Sequence, residues 1–225
     1  MVEVFAVQTL NEDAYQQVKP VFMRLLPLNS QERTESYTHP ASQQRTLLGE
    51  VLTRKIISQK TGIAPDKFLF SLSKHGKPYL NDFPQLHFNI SHSHEWVVVA
   101  VASAPVGIDV ERIRKPRLDV ALRFFSEEEK NVLLKLPDEE QTQYFYRLWT
   151  IKESYLKLTG EGLTASLNTF TVKQQNENFA IFKEEVKQNI HVKIYPGIPG
   201  FCLAVSSEEN SFAELVNTDI SFLAG

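Results

Sequence analysis

Apolar and polar residues alternate strictly at the centre of the chain, in the segment Val106–Glu111. This period of two predicts a β-strand with one buried face. Asp109 and Glu111 therefore leave the strand on its opposite face, with their Cα atoms roughly 7 Å apart. Two adjacent carboxylates repel each other unless a cation or a proton lies between them. Their oxygen atoms suit Mg²⁺ better than zinc, although the solvated face of an edge strand is the simpler explanation of this pattern alone.

A second candidate group lies on a predicted helix that runs from Asp138 to about Leu158. Trp149, Glu153 and Lys157 are each four residues apart and therefore fall on one row of that helix. As a surface ion pair, Glu153 and Lys157 would contribute roughly a few tenths of a kcal/mol. Placed against the strand that carries Asp109, they would instead supply a third carboxylate and a cation.

The same kinds of periodicity predict the other elements of the chain. The polar stretch Pro27–Pro40 is predicted to be a loop, and the final segment Asn217–Gly225 has no clear assignment. Ser126–Glu129 has the pattern of a capping box, which is a sufficient structural role for Glu129. Predicted helices cover Glu12–Leu26, Ser42–Gln59 with Ser42 as its cap, Leu118–Phe125, and Asp138–Leu158 with Asp138 as its cap. Predicted strands cover Met1–Val7, Phe68–Ser71, Leu86–Ser91, Trp96–Ala102, Phe170–Lys173, Phe179–Phe182, Ile190–Tyr195 and Phe201–Val205.

Helices and short strands occur in similar amounts on either side of a break near Ala104-Pro105. We therefore divide the chain into an N-terminal half, residues 1–104, and a C-terminal half, residues 105–225. The fold class predicted from these elements is α/β (α+β), with small sheets packed against helices.

Composition places the chain among ordinary globular proteins. It has 225 residues, 42% of them hydrophobic and 23% charged, and is long enough to bury a substantial core. A net charge of −3 argues against a general nucleic-acid-binding protein. The single cysteine, Cys202, cannot form an internal disulfide, and the N-terminal residues lack the basic start of a signal peptide. The longest apolar run, Trp96–Ala102, is far shorter than the roughly 20 residues that span a bilayer, so we expect a soluble, cytoplasmic protein.

Three carboxylates and a lysine suit a reaction at a phosphate or pyrophosphate group. A magnesium ion can bridge phosphate oxygens, a lysine can neutralise the remaining charge, and a spare carboxylate can accept a proton from an attacking hydroxyl. His92 follows the predicted strand Leu86–Ser91, in the connection to the next strand, and would lie at the end of the sheet beside the strand of Asp109. The pattern by itself does not name the substrate.

Six short motifs add a family resemblance to this chemistry. Each is weak alone, but together they extend over nearly the whole chain in the right order. They are Arg45–Gly49, Gly76–Pro78, Phe88–Ser93, Gly107–Glu111, Phe124–Ser126 and Trp149–Lys157. In these motifs the chain resembles the 4'-phosphopantetheinyl transferases, and most closely the Sfp-type group that activates surfactin synthetase.

The resemblance implies two similar halves, each a small, mainly antiparallel sheet with helices, related by a pseudo-twofold axis, with coenzyme A in the cleft between them. It implies Mg²⁺-dependent transfer of 4'-phosphopantetheine from coenzyme A to a serine of an apo acyl or peptidyl carrier protein, with release of adenosine 3',5'-bisphosphate. It also implies a monomer. The implied metal ligands are Asp109, Glu111 and Glu153, and the implied catalytic residues are Glu153, Lys157 and Glu111, with Glu153 or a neighbouring carboxylate as the base. The implied coenzyme A contacts are Arg33, Arg45, Thr46, Lys77, Ser91, His92 and Lys157.

The chain departs from the family in one loop and carries a basic cluster after its central strand. The family's loop before Arg45 often holds the 3'-phosphate of coenzyme A with several lysines, whereas Asn29–Glu35 contains Arg33 as its one cation. A candidate docking patch for acidic carrier proteins comprises Arg112, Arg114, Lys115 and Arg117, with Arg123 close behind in the sequence.

Two other functions fit part of the pattern. A Mg²⁺-dependent phosphohydrolase would use the same carboxylates with water as the nucleophile, and a non-catalytic carrier-binding module would keep the surface without the metal site. The intact set of Asp109, Glu111, Glu153 and Lys157 argues against the second. The sequence does not discriminate among carriers of nonribosomal peptide, polyketide and fatty-acid synthesis.

Overall fold

The computed structural model describes residues 1–115, 118–162, 166–176 and 178–224. None of its described helices is both long enough and apolar enough to cross a membrane. The N-terminal half contains β1 (Val2–Gln8), α1 (Glu12–Met23), α2 (Leu28–Glu35), α3 (Pro40–Thr61), β2 (Phe70–Leu72), β3 (Pro78–Leu80), β4 (His87–Ser93) and β5 (Trp96–Ala102). After them come β6 (Val106–Arg112), α4 (Leu118–Phe124), α5 (Glu127–Leu133), α6 (Asp138–Thr159), β7 (Thr171–Gln175), β8 (Asn178–Lys183), β9 (Val186–Lys187), β10 (His191–Tyr195), β11 (Phe201–Ser207), β12 (Phe212–Asn217) and α7 (Ile220–Ala224).

The strands form two main sheets and two small ones. The first main sheet has the order β12-β1-β5-β4 and the second has the order β10-β11-β6. Strands β2 and β3 form a hairpin, and β7, β8 and β9 form a small sheet. The pairs within these sheets are antiparallel except β1 with β12, which run parallel. The predicted fold class, with small, mainly antiparallel sheets packed against helices, is therefore confirmed.

The two main sheets repeat one topology. In each, an opening strand pairs with a central strand, and the central strand also pairs with the strand that precedes it in the chain: β1-β5-β4 and β6-β11-β10. The registers match as well. The fourth residue of the opening strand opposes the fourth residue of the central strand in both sheets, as Phe5 opposes Val99 and Asp109 opposes Ala204. This repeat accounts for the similar content of the two halves.

One long helix packs on each main sheet. Helices α3 and α6 each have 22 residues. Leu48 of α3 shares a buried apolar cluster with Val99 of β5, and Leu148 of α6 shares another with Ala204 of β11. Burial of these apolar faces is the main force that fixes each helix on its sheet.

Glycine lets β6 approach α6 unusually closely. A Cβ atom added at Gly107 would lie 2.0 Å from the backbone oxygen of Ser154 and 2.4 Å from the backbone nitrogen of Leu158. No side chain fits there, because both neighbours are backbone atoms. The strand that carries Asp109 therefore lies directly against the helix that carries Glu153.

Several predicted boundaries are wrong. The predicted loop Pro27–Pro40 contains α2, whose Gln31 and Arg33 side chains are bonded to Leu26 and Glu50. Helix α3 starts at Pro40 after His39, so Ser42 lies inside it, and α6 starts after Pro137, so Asp138 is its first residue rather than its cap. The C-terminal segment contains β12, which extends the first sheet, and α7.

Candidate functional site

The residues singled out by the sequence converge on a cavity where β4, β6 and α6 meet. The cavity has a volume of about 420 Å³, and the turn between β2 and β3 closes one side of it. Strand β6 contributes two acidic side chains, and α6 contributes a row of an acidic and a basic one. The predicted site residues that line the cavity are Lys77, Ser91, His92, Asp109, Glu111, Glu153 and Lys157.

Asp109 is the most buried acidic side chain of the cavity, at 4% exposure. Its Oδ1 atom accepts hydrogen bonds from Lys157 Nζ at 2.6 Å and from Ser91 Oγ at 3.0 Å. Its Oδ2 atom is buried and has no hydrogen-bond partner among the described residues. Since a buried carboxylate oxygen is costly to leave unpaired, this atom is suited to bind a ligand.

Burial and mutual repulsion disfavour the charged form of the three carboxylates in the cavity. Burial, followed by the charges of Asp109 and Glu111, raises the pKa of Glu153 to about 7 against the opposing effect of Lys157. Burial and the charge of Asp109 also raise the pKa of Glu111, and burial raises the pKa of Asp109 despite its contact with Lys157. Such a cluster favours the binding of a cation or a proton.

The acidic side chains of the cavity are not arranged as the ligands of one metal ion. Within the described part of the chain, no group of three or more His, Cys, Asp or Glu side chains lies close enough together to hold a metal ion. Lys157 occupies one side of Asp109 and neutralises part of its charge. The predicted ligands thus face one cavity without converging on one point.

Lys77 joins the two halves of the molecule. It lies in the turn before β3 and donates hydrogen bonds to the backbone oxygens of Val106 and Leu158, both at 3.1 Å. Burial lowers the pKa of its ammonium group to about 8. Its charge is consequently sensitive to pH changes near neutrality.

The other predicted coenzyme A contacts lie outside the lining of this cavity. Arg33 on α2 donates a 2.6 Å hydrogen bond to the Glu50 carboxylate. Arg45 on α3 donates one of 3.4 Å to the backbone oxygen of His94, in the turn after β4. Thr46, its neighbour, is half-buried. Burial, followed by the charge of Arg45, lowers the pKa of the His92 imidazole.

The basic cluster begins at the last residue of β6. Arg112, Arg114 and Lys115 are exposed, and the Arg114 guanidinium contacts the His94 ring. This contact places Arg114 beside the turn after β4, whose His94 is two residues beyond the cavity-lining His92. Arg117 lies outside the described residues.

Both carboxylate oxygens of Glu129 have hydrogen-bond partners within the fold. One carboxylate oxygen accepts from the backbone nitrogen of Ser126, which completes the predicted capping box. The other accepts from the backbone nitrogen of Val172 at 2.7 Å and pairs with the buried ammonium group of Lys152 at 2.9 Å. Its side chain does not line the cavity.

Sequence reasoning did not find two polar residues of β4. Asn89 Oδ1 accepts from the backbone nitrogen of Ile108, and Ser93 Oγ donates to Glu111 Oε2 at 3.0 Å. Their signal was the alternation of Asn89, Ser91 and Ser93 along one strand face, but the partner strand is not visible in such a pattern.

Comparison with known families identifies the class of protein. Residues 105–206 match the family model described as the 4'-phosphopantetheinyl transferase superfamily, and residues 14–104 match the one described as 4'-phosphopantetheinyl transferase, N-terminal. The chain belongs to the 4'-phosphopantetheinyl transferase superfamily. The predicted family and enzyme class are thereby confirmed.

Individual relatives agree over most of the chain. It is 38% identical over 194 residues to the 4'-phosphopantetheinyl transferase Sfp of Bacillus subtilis (strain 168), covering 86% of this chain and 87% of that protein. It is 36% identical over 221 residues to the 4'-phosphopantetheinyl transferase psf-1 of Bacillus pumilus, covering 95% and 93%. Among solved structures, a holo-(acyl-carrier-protein) synthase from Bacillus anthracis str. Ames in complex with CoA matches 46% of this chain and 94% of its own, at 21% identity and a TM-score of 0.40.

Proposed function

We propose that this chain transfers the 4'-phosphopantetheine group of coenzyme A to a serine hydroxyl of an apo carrier protein. The observation that carries the proposal is the convergence of Asp109, Glu111, Glu153 and Lys157 on one cavity, in a member of the 4'-phosphopantetheinyl transferase superfamily. The serine oxygen forms a bond to the phosphorus atom that carries pantetheine. The bond from that phosphorus to the bridging oxygen of the pyrophosphate breaks, and adenosine 3',5'-bisphosphate leaves with the electron pair.

The side chains on α6 carry the chemistry in this proposal. Glu153 faces the cavity and is 9% exposed, so it can accept the serine proton away from bulk water. Glu111 is the alternative acceptor, because it lines the same cavity from β6. Lys157 holds its ammonium group at the cavity wall, where it neutralises charge that builds up on the transferred phosphate and the leaving oxygen.

Asp109, Glu111 and Glu153 are the proposed ligands of a magnesium ion. The donor set fits, because it consists of carboxylate oxygens and includes the unpaired, buried Oδ2 atom of Asp109. In the described structure the three side chains line one cavity without converging on a single point. A bound Mg²⁺ would supply positive charge that offsets the negative charge of the leaving group.

Coenzyme A is proposed to bind with its pyrophosphate beside Lys77, Ser91 and His92, which line the cavity near the acidic residues. Arg45 and Thr46 on α3 would contact the nucleotide end. Arg33 can reach the 3'-phosphate only in competition with Glu50, to which it is hydrogen-bonded.

The acidic carrier protein is proposed to dock on the basic residues at and after the end of β6. These are Arg112, Arg114 and Lys115, which are exposed, and Arg117, which lies outside the described residues. Arg112 lies beside Glu95 and Arg114 contacts His94, both in the turn after β4. Such charges act mainly on the rate of association.

Intact-mass measurements test the proposed transfer. Apo carrier domains of peptide, polyketide and fatty-acid synthesis are each incubated with coenzyme A, Mg²⁺ and the enzyme. We expect at least one carrier to gain the mass of one phosphopantetheine group, and no gain with Asp109→Ala. Release of adenosine 3',5'-bisphosphate without any carrier, and with every carrier unmodified, would instead identify a hydrolase.

A further inference from the structure

The two main sheets meet along an unusual seam between β4 and β6. These strands pack side by side, yet they belong to different sheets and share no backbone ladder within the described residues. Side chains of β4 take the place of that ladder. Asn89 Oδ1 accepts from the backbone nitrogen of Ile108 at 2.9 Å, Ser91 Oγ accepts from that of Val110 at 3.4 Å, and Ser93 Oγ accepts from that of Arg112 at 3.3 Å.

Both serines of this seam also contact a carboxylate. Ser91 Oγ donates to Asp109 Oδ1, and Ser93 Oγ donates to Glu111 Oε2, each at 3.0 Å. A hydroxyl has a single hydrogen to donate. The Ser91 oxygen accepts from the backbone N–H of Val110, so its hydrogen is directed toward the carboxylate of Asp109. In the same way, the Ser93 oxygen accepts from the N–H of Arg112, and its hydrogen is directed toward the carboxylate of Glu111.

The two serines differ in what else they touch. Ser91 lines the cavity and also accepts a 2.8 Å hydrogen bond from Lys157 Nζ, so a change there would disturb several groups. The Ser93 side chain is outside the lining of the cavity, and its described hydrogen-bond partners are only the backbone nitrogen of Arg112 and the Glu111 carboxylate. Any effect of Ser93 on the site must therefore pass through Glu111 or through the seam.

We propose that Ser93 is a positioning residue that fixes the Glu111 carboxylate for a divalent cation, by bonding it to the backbone seam that joins the two halves. This proposal rests on the proposed function for its metal site. Partners that orient a metal ligand commonly contribute about 10–100-fold to metal affinity. Ser93 thus contributes to the site without touching substrate.

The test measures Mn²⁺ binding by electron paramagnetic resonance, with coenzyme A present and no carrier, alongside the Mg²⁺ concentration that gives half-maximal transfer. For Ser93→Ala we expect the Kd for Mn²⁺ and the half-maximal Mg²⁺ concentration to rise together by about tenfold. Saturating Mg²⁺ should restore most of kcat, and KM for the carrier should not change. Ser93→Thr, which keeps the hydroxyl on a β-branched residue suited to a strand, should restore wild-type binding.

A matched control separates this role from the general effect of losing a serine–carboxylate bond. Ser103 donates a 2.8 Å hydrogen bond to Glu209, away from the cavity, so Ser103→Ala should leave both metal measurements unchanged. A double-mutant cycle then isolates the contact. If Ser93 acts through Glu111, Ser93→Ala should add nothing to the loss of Mn²⁺ affinity caused by Glu111→Gln.

Wild-type Mn²⁺ affinity in folded Ser93→Ala would overturn the proposal, and so would additive losses in the double mutant. If Ser93→Ala does not fold, Ser93→Cys, whose thiol is a weaker donor, replaces it with the same expected direction. A wild-type enzyme that binds Mn²⁺ in a Ser93-dependent way but modifies no carrier would contradict the proposed function while leaving this proposal intact.

Discussion

The two halves of the molecule share a scaffold but differ in where they carry chemistry. Strands β1 and β6 are both seven residues long and open their sheets in the same register. The fourth and sixth residues are Asp109 and Glu111 in β6, whereas they are Phe5 and Val7 in β1. The same topology therefore supports an apolar wall in one half and an acidic site in the other, which shows that the site depends on a few substitutions in a common frame.

The long helices show the same contrast. Glu153 and Lys157 of α6 occupy the positions that Lys55 and Gln59 hold in α3. No pair of carboxylates faces α3 from β1, since Phe5 and Val7 stand there. A second copy of the acidic cluster is therefore absent from the corresponding described residues of the N-terminal half.

One buried cation is common to both halves. Arg54 and Lys152 occupy the fifteenth position of α3 and α6, respectively. Each donates to two backbone oxygens around the short 3-10 turn that follows its helix: Arg54 at 3.1 and 2.5 Å, and Lys152 at 2.8 and 2.8 Å. Each also lies over a phenylalanine ring, at 4.2 and 4.3 Å from its centroid. The repeated scaffold thus includes a polar anchor as well as an apolar core.

The two halves differ in how closely a long helix approaches its sheet at a glycine. Substitution of these glycines should give the largest difference between the halves. Gly107→Ala would force β6 away from the backbone of α6, so we expect a loss of about 3 kcal/mol or more in the free energy of unfolding and nearly complete loss of transfer. At Gly49 of α3, a new Cβ atom meets side-chain atoms of Ile90 and Val97 at 2.9 and 3.3 Å. Gly49→Ala also gains about 1 kcal/mol of helix propensity, so its net effect should be small.

Chemical denaturation and transfer assays on both glycine variants check this difference. Equal unfolding free energies for Gly107→Ala and Gly49→Ala would show that the two halves tolerate the added methyl group alike.

The buried cations should have similar effects if they are equivalent anchors. Lys152→Met leaves the buried Glu129 carboxylate without its cation, and Arg54→Met leaves the buried Glu50 carboxylate with only the exposed Arg33 as a partner. We expect each to lower the free energy of unfolding by about 3–5 kcal/mol. Lys60→Met, which removes a partly exposed contact with Glu3, should cost at most about 1 kcal/mol. Urea unfolding measures all three, and a loss confined to one half would refute the equivalence.

Lys77 provides a pH-dependent test of how the N-terminal half serves the site. Its pKa is lowered to about 8 by burial, so it is charged below that pH and loses its charge as the pH rises through it. We expect KM for coenzyme A to increase several-fold between neutral and alkaline pH in the wild type. Lys77→Arg should flatten this rise, because a guanidinium stays charged. Identical pH profiles for the two proteins would show that the charge of Lys77 does not contribute to binding of the pyrophosphate.

The smallest expected effect concerns the basic cluster at the end of β6. The corresponding segment after β1, Thr9-Leu10-Asn11, contains no basic residue. Arg114→Glu should raise KM for the carrier several-fold at low salt, with little change for coenzyme A, and should weaken the salt dependence. Arg24→Glu makes the same charge change on an exposed residue of the N-terminal half and should leave KM for the carrier unchanged. Equal salt slopes for wild type and Arg114→Glu would place the carrier elsewhere.

Local periodicity predicted the elements that bear the site. The alternation in Val106–Glu111 and the row of Glu153 and Lys157 were visible because strands and long helices impose their period on the sequence. The order of the six motifs supplied the family, and the family supplied the substrate expectations.

Features that depend on distant partners were not predictable in this way. Helix α2 has few apolar residues and is held by contacts such as Arg33 with Glu50. Strand β12 adds to β1 from the far end of the chain, and Ser93 finds Glu111 only after two sheets meet. Each of these depends on which elements become neighbours in the fold, and a pattern within one segment does not contain that information.

The most direct test of the central assignment is the stoichiometry of products at the β6–α6 site. With coenzyme A, Mg²⁺ and a responsive apo carrier, we predict one adenosine 3',5'-bisphosphate released for each carrier that gains phosphopantetheine. We predict none without carrier, and a loss of at least about a hundredfold in both products for Asp109→Ala, since removal of a ligand should exceed the effect of removing a partner of that ligand. Undiminished modification of the carrier by Asp109→Ala would contradict the account.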